Sequence, residues 1–195
     1  MSHYYDANQD HVKSAPRRIT FDHAAQSYTL ITDHGVFSHG HIDEATELLI
    51  DTVHLEANQS TLDLGCGYGV IGIVLAKRDG VHVTLSDVNT RALTLAKENA
   101  HLNQVTLRII ESEGFEHIHD YYDAILTNPP IRIGKQALYA LYAEAIEHLK
   151  PGGSLYLVLH KKHGALSTLA HLSTKNKATL LCRHKGFHVI RCDKD

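Results

Sequence analysis

From Ser60 onward the sequence alternates short apolar segments with amphipathic stretches of helical period, and this alternation most restricts the fold. A strand, an amphipathic helix and a second strand in succession build parallel β-structure with helices packed on its faces. The pattern predicts strands near Thr61 to Leu64, His82 to Ser86, Val105 to Ile110, Ala124 to Thr127 and Ser154 to His160. Helices are expected between them, best marked from Asn89 or Thr90 to about His101, from Gln136 to Leu149 and from Ala165 to about Ser173. Pro151-Gly152-Gly153 is placed to stop the second of these and turn the chain into the fifth strand.

The two ends read differently. Arg18 to His23 and Ser27 to Ile31 alternate apolar and polar residues around Ala24-Ala25-Gln26, which predicts a small hairpin. A helix capped by Asp43 follows, with Leu48, Leu49 and Val53 on one face. Thr179 to Arg183 and Phe187 to Arg191 flank His184-Lys185-Gly186, an antiparallel hairpin closing an otherwise parallel sheet. The expected organisation is one α/β domain over 1–195, with a hairpin-bearing extension at 1–42 and an α/β core at 43–195.

A chain of 195 residues with 43% hydrophobic and 21% charged residues has the balance of an ordinary globular protein. Its longest apolar run, Leu155 to Leu159, is too short to cross a bilayer, and the first twenty residues lack a signal-peptide pattern, so a cytoplasmic protein with no membrane partner is expected. Cys66, Cys182 and Cys192 suggest neither a disulfide framework nor a zinc knuckle. The formal net charge of -3 argues against gripping nucleic acid by bulk electrostatics and leaves room for a local basic patch. Histidine is abundant at 17 copies, yet the pairs His39 with His41, His117 with His119 and His160 with His163 lack the cysteine or carboxylate spacing of a ligand set, so no metal is expected.

The chemistry concentrates in three places. In the first, a strand ending near Asp63 runs into Gly65-Cys66-Gly67-Tyr68-Gly69 and then a helix starting near Tyr68, an arrangement that brings bare backbone against a nucleotide-like ligand. Tight turns also need glycine for structural reasons alone. The spacing says more, because a dinucleotide loop wants its third glycine where Val70 stands, which excludes a nicotinamide cofactor.

In the second place, Asp87 follows Gly67 by about 20 positions, the range at which a carboxylate reaches ribose hydroxyls in such folds. Taken alone, Asp87 reads equally as the N-cap of the next helix, a duty Asn89 could also serve. Ser112 and Glu113 end the third strand; Glu113 can accept from an adenine amino group or stand as a solvated loop acid. In the third place, Asn128-Pro129-Pro130 ends the fourth strand, where ligands of open parallel sheets bind. Proline after Asn128 forces an extended backbone and fixes the direction of its side chain.

These segments resemble the class I S-adenosylmethionine-dependent methyltransferases, and more closely the small methyltransferase domain of the ribosomal RNA guanine-N2 family. The resemblance lies in Thr32-Asp33-His34-Gly35-Val36-Phe37-Ser38, in Leu62 to Gly72, in Asp87-Val88-Asn89 and in Thr127-Asn128-Pro129-Pro130-Ile131-Arg132 with Gly134-Lys135, and extends from about residue 18 to the end. It implies a Rossmann-like sheet, mostly parallel with an antiparallel C-terminal hairpin. It also implies S-adenosyl-L-methionine held by Asp63, Gly65, Cys66, Gly67 and Gly69, by Asp87 and Val88, by Ser112 and Glu113, and by Asn128. Asn128 and Pro129 would hold the acceptor amine, with Phe37, Pro130, Ile131, Arg132 and Lys135 against the substrate.

The implied partner is ribosomal RNA or the small ribosomal subunit, bound by a monomer or a homodimer. Many Asn-Pro-Pro enzymes place an aromatic residue next; here it is Ile131, so apolar contact or stacking by Phe37 must clamp the base. The resemblance does not extend to the amino-terminal half of two-domain relatives, so RNA docking is expected of Arg132, Lys135, Lys161 and Lys162, each of which alone reads equally as a solvated charge. The same acceptor geometry would serve a protein glutamine amide or adenine N6, and a non-catalytic cofactor-binding RNA assembly factor is the third alternative.

Overall fold

The computed structural model of the protein describes residues 13–36, 38 and 40–195. The described residues open with an antiparallel hairpin of β1 (Arg17–His23) and β2 (Gln26–Thr32), joined by Ala24 and Ala25. Both alanines lie in the left-handed region, at φ 48° and 60°, the twist a two-residue hairpin turn demands. Helix α1 (Glu44–Thr52) follows, its first turn capped by Asp43 as expected.

The core contains β3 (Ser60–Leu64), α2 (Val70–Asp79), β4 (His82–Asp87), α3 (Thr90–Leu102), β5 (Arg108–Glu111), β6 (Tyr122–Thr127), α4 (Lys135–Glu147), β7 (Leu149–His160), α5 (Ala165–Leu172), β8 (Lys177–His184) and β9 (Phe187–Asp193). The seven core strands stand in the order β5-β4-β3-β6-β7-β9-β8. Pairing is parallel from β5 through β7 and antiparallel for β7 with β9 and β9 with β8. The α/β class, the mostly parallel sheet, the terminal hairpin and the small N-terminal hairpin all match the sequence reading.

Strand order reverses on either side of β3, which opens a crevice beyond the carboxyl ends of β3, β4 and β6. One apolar layer packs α1, α2, α3 and the hairpin against one face of the sheet; a second packs α4 and α5 against the other. Among the described residues no helix is long and apolar enough to cross a membrane.

Three local expectations need correction. The third core strand begins at Arg108 rather than Val105, because the Val105 N–H donates to the Ala100 carbonyl and residues 103–107 close the end of α3. The crossover from β5 to β6 carries no helix; Phe115 and Ile118 fill that part of the apolar layer from turns. Pro151-Gly152-Gly153 lies within β7, as an irregularity between the pairs Tyr122 with Leu149 and Ala124 with Ser154. A Cβ on Gly153 would stand 2.9 to 3.1 Å from three carbonyl oxygens, so the bend admits only glycine.

The end of α1 is anchored by Arg78 on α2. Its side chain is 6% exposed and pairs with Asp79 at 2.6 Å, while Nη1 and Nη2 donate to the Ile50 and Val53 carbonyls at 2.5 Å. Nη1 also lies 3.1 Å from His23 Nε2, so that nitrogen accepts and the ring proton sits on Nδ1, which faces Asp51 at 3.3 Å. One buried guanidinium thereby ties the hairpin, α1 and α2 together.

Candidate active site

The glycine loop is held open from behind. Gly65, Gly67 and Gly69 all adopt left-handed conformations, with φ of 72°, 54° and 91°. A Cβ on Gly65 or Gly67 would meet nothing within 4 Å, so these residues present bare backbone to open space. The N–H groups of Gly65 and Cys66 both donate to the Ser86 carbonyl, at 2.8 and 2.9 Å. Helix α2 starts at Val70 rather than Tyr68, and a Cβ on Gly72 in its first turn would stand 2.3 Å from Leu85 Cδ2, so glycine there lets helix and sheet touch.

Asp63 lies beneath this loop, fully buried, with Oδ2 accepting from the Gly72 N–H at 2.9 Å. It lines neither of the cavities described below and stands behind their wall. Burial raises its carboxyl to about 7. Cys66 is 7% exposed, and burial raises its thiol well above the usual value, so it stands as a neutral, unreactive group.

Asp87 ends β4 with both carboxylate oxygens engaged, Oδ2 by the Gly67 N–H at 2.8 Å and Oδ1 by the Asn89 N–H at 2.9 Å. The cap of α3 is Asn89, which accepts from the Ala92 N–H at 3.1 Å. Asp87 is therefore free of that duty; the Val88 N–H is a third backbone donor to its carboxylate, which keeps acceptor capacity for a hydroxyl donor. Burial raises its pKa.

Two adjoining cavities meet at the strand ends. The larger, about 500 Å³, has Asp87, Val88, Ser112 and Glu113 on one side and Asn128 and Pro130 on another. Its far wall is a stripe of α4, Ala137, Ala140, Leu141 and Glu144, which the sequence reading missed. The signal was present as the spacing i, i+3, i+4, i+7 with two small residues in the stripe. The smaller cavity, about 50 Å³, lies between the start of α2 and the start of α1, with Cys66, Gly67, Tyr68, Asp43 and Thr46 around it. Gly65, Asp87 and Asn128 line both. Burial, with the Asp43 carboxylate next in effect, raises the pKa of Tyr68 and keeps its phenol neutral.

Asn128 stands just beyond β6 with its carboxamide fixed. Nδ2 donates to Asp43 Oδ2 at 2.9 Å and lies 3.1 Å from Thr46 Oγ1. A carboxylate can only accept, so the group facing Asp43 must be the NH2, and Oδ1 is turned away. Among the described residues no donor meets that oxygen.

Pro129 is buried, and Pro130 leads into a tight helical turn over Ile131–Ile133 ahead of α4. Ile133 lines the larger cavity, while Ile131, Arg132 and Lys135 stand exposed beside it. Lys161 and Lys162 lie exposed in a turn after β7, at the same end of the sheet. Phe37 lies outside the described residues, as does His39 of the first histidine pair. Among the described residues no group of three or more His, Cys, Asp or Glu side chains could hold a metal ion.

The methyltransferase small domain family model matches residues 27–191. The chain is 37% identical to the uncharacterized protein YbxB of Bacillus subtilis, covering 100% of both. It is 39% identical to the ribosomal RNA small subunit methyltransferase C of Hahella chejuensis, over 83% of this chain and 49% of that protein. The solved structure of the T. thermophilus 16S rRNA N2 G1207 methyltransferase (RsmC), in complex with AdoMet and guanosine, superposes with a TM-score of 0.84 at 25% identity, over 94% of this chain and 52% of that one. The chain thus spans the full length of YbxB and about half the length of these ribosomal RNA methyltransferases. With the match running from the second strand of the hairpin into the last strand of the sheet, the chain belongs to the methyltransferase small domain family.

Proposed function

We propose that this protein transfers the methyl group of S-adenosyl-L-methionine to an exocyclic amine, N2 of a guanine in small-subunit ribosomal RNA. The observation that carries the reading is the Asn128 carboxamide, which lines both cavities, whose nitrogen is tied to Asp43 and whose oxygen meets no donor among the described residues. An acceptor without a donor, at a strand end beside a cofactor cavity, suits a substrate NH2 group.

The residues present fit the cofactor. The larger cavity has room for a nucleoside, with Asp87 to accept from ribose hydroxyls, Val88 against the base, and Ser112 and Glu113 within reach of its polar edge. The narrow cavity at the start of α2 suits the charged amino-acid end, since helix N-termini offer N–H groups to a carboxylate. Once bound, the cofactor supplies an electrophilic methyl on a sulfonium.

A guanine amine is a poor nucleophile because its lone pair is delocalised into the ring. Asn128 Oδ1 and the Pro129 carbonyl would each accept one of its N–H groups, turning the lone pair toward the methyl. These acceptors also lie where positive charge develops on nitrogen, and orientation with charge stabilisation suffices for an in-line displacement. Pro130 and Ile133 offer apolar contact to the base, and Arg132, Lys135, Lys161 and Lys162 offer charge to the RNA backbone.

The ribosomal RNA reading draws on the relatives of that name and on the neighbour solved with guanosine. The test is transfer of labelled methyl from S-adenosylmethionine to small ribosomal subunits, free ribosomal RNA and a protein extract in parallel, followed by nucleoside analysis. N2-methylguanosine from subunits or RNA is expected. Label in glutamine or in N6-methyladenosine would replace the substrate, and cofactor binding without transfer would leave an assembly factor.

A further inference from the structure

Asp43 serves two elements through a single oxygen. Its Oδ2 accepts from the main-chain N–H groups of Ala45 and Thr46 at 3.1 and 3.2 Å, which caps α1, and from Asn128 Nδ2 at 2.9 Å. The cap alone asks for little, because asparagine or serine serves as well as aspartate at that position. The contact with Asn128 asks for more. Only a carboxylate, which has no proton to donate, forbids the flipped carboxamide that an asparagine or serine would tolerate. Thr46 Oγ1, 3.1 Å from the same nitrogen, can donate or accept and does not impose a direction by itself.

We propose that Asp43 is a positioning residue for methyl transfer: it locks Asn128 with Oδ1 toward the acceptor amine and, through the Nδ2–H bond, strengthens that oxygen as the amine becomes cationic. The inference rests on the reading of Asn128 given above. Charge-assisted hydrogen bonds are stronger than neutral ones, and bonds in series polarise one another, so a carboxylate behind the amide makes its oxygen a better acceptor. During transfer the amine lone pair forms the N–CH3 bond, the S–CH3 pair returns to sulfur, and the surplus N–H proton leaves to water. Asp43 takes no proton in this step and touches none of the reacting atoms.

The test compares the full chain with Asp43→Asn and Asp43→Ser, both of which retain a capping side chain. Methyl transfer to small ribosomal subunits should fall on the order of 10-fold to 100-fold in kcat, the usual cost of losing a partner behind a functional side chain. KM for the subunits and the melting temperature should stay close to wild type. In an Asn128→Ala background the Asp43→Asn change should cost nothing further. Wild-type kcat in both variants, or an undiminished loss on top of Asn128→Ala, overturns the proposal. Were the unaltered protein to methylate no subunits, the substrate reading would fall separately, and the side-chain NMR signals of Asn128 would still decide Asp43. Nδ2 protons protected from exchange in the wild type and unprotected in Asp43→Ser support the lock; equal protection in both overturns it.

Discussion

Asn99 on α3 and Asn103, the residue that caps its end one turn later, complete the outer edge of β2 as a neighbouring strand would. Asn99 accepts from the Ile31 N–H at 2.6 Å and donates to the Ile31 carbonyl at 2.9 Å; Asn103 does the same for Thr29 at 3.1 and 2.7 Å. The spare donor of Asn99 reaches the Tyr68 carbonyl at 2.9 Å, beside the glycine loop. An exposed strand edge is thus paired by side chains, and the hairpin is fixed to the element that follows Asp87.

Asn99→Ala strips the partners from three main-chain groups at once. Buried groups left unpaired cost roughly 1–3 kcal/mol each, and partial rescue by water leaves an expected loss of about 3 kcal/mol in urea unfolding. A loss below about 0.5 kcal/mol would mean that the hairpin is held by its apolar face alone.

Arg78→Met leaves the Asp79 carboxylate, itself 7% exposed, without its cationic partner and the Ile50 and Val53 carbonyls without the guanidinium donors. Breaking a buried pair by removing one member costs roughly 3–5 kcal/mol. Thermal melts should show it, and Arg78→Met with Asp79→Leu should recover part of the loss.

Asn128→Ala should leave S-adenosylhomocysteine affinity nearly unchanged and lower the methylation rate on the order of 10² or more, as loss of one positioned acceptor does. Full activity in this variant would remove Asn128 from the mechanism.

For Asp87→Ala the expected defect is in binding. Hydrogen bonds to a charged group are worth roughly 1.5–3 kcal/mol, so calorimetry should show affinity for S-adenosylhomocysteine falling about 10-fold to 100-fold. Asn89 still caps α3 in this variant, so an unchanged affinity would assign Asp87 to holding the loop and nothing else.

Asp63 makes stability depend on pH. Its carboxyl sits at about 7 in the folded protein, because of burial, against about 3.9 in an unfolded chain. A raised folded value means that its contribution is complete below pH ~4 and is lost as pH rises through about 7. Asp63→Asn, which preserves shape without the charge, should therefore gain in melting temperature relative to wild type between pH 5 and pH 8. A constant difference across that range would show that Asp63 does not titrate there.

Much of the fold is legible in the sequence because its signals are local. Period and turn chemistry marked the glycine loop, the strand ending at Asp87 and the strand running into Asn128-Pro129-Pro130, and the ends of parallel strands are where such folds bind ligands. The misplaced start of β5 and the missing helix before β6 fall where local pattern is weakest. Val105 has strand chemistry, yet it closes a helix end; Phe115 and Ile118 fill apolar space without a helix.

The sequence by itself determined the alternation of strands and helices, the glycine loop and the position of the amide at a strand end, since each depends on residues close together in the chain. Only the tertiary structure decided that Asp63 stands behind the cavity, that Asn89 frees Asp87 from capping, and that Asp43, 85 positions before Asn128, accepts from its carboxamide nitrogen. Contacts across such separations leave no periodic trace in a sequence. They exist only once the sheet has brought the start of α1 against the end of β6.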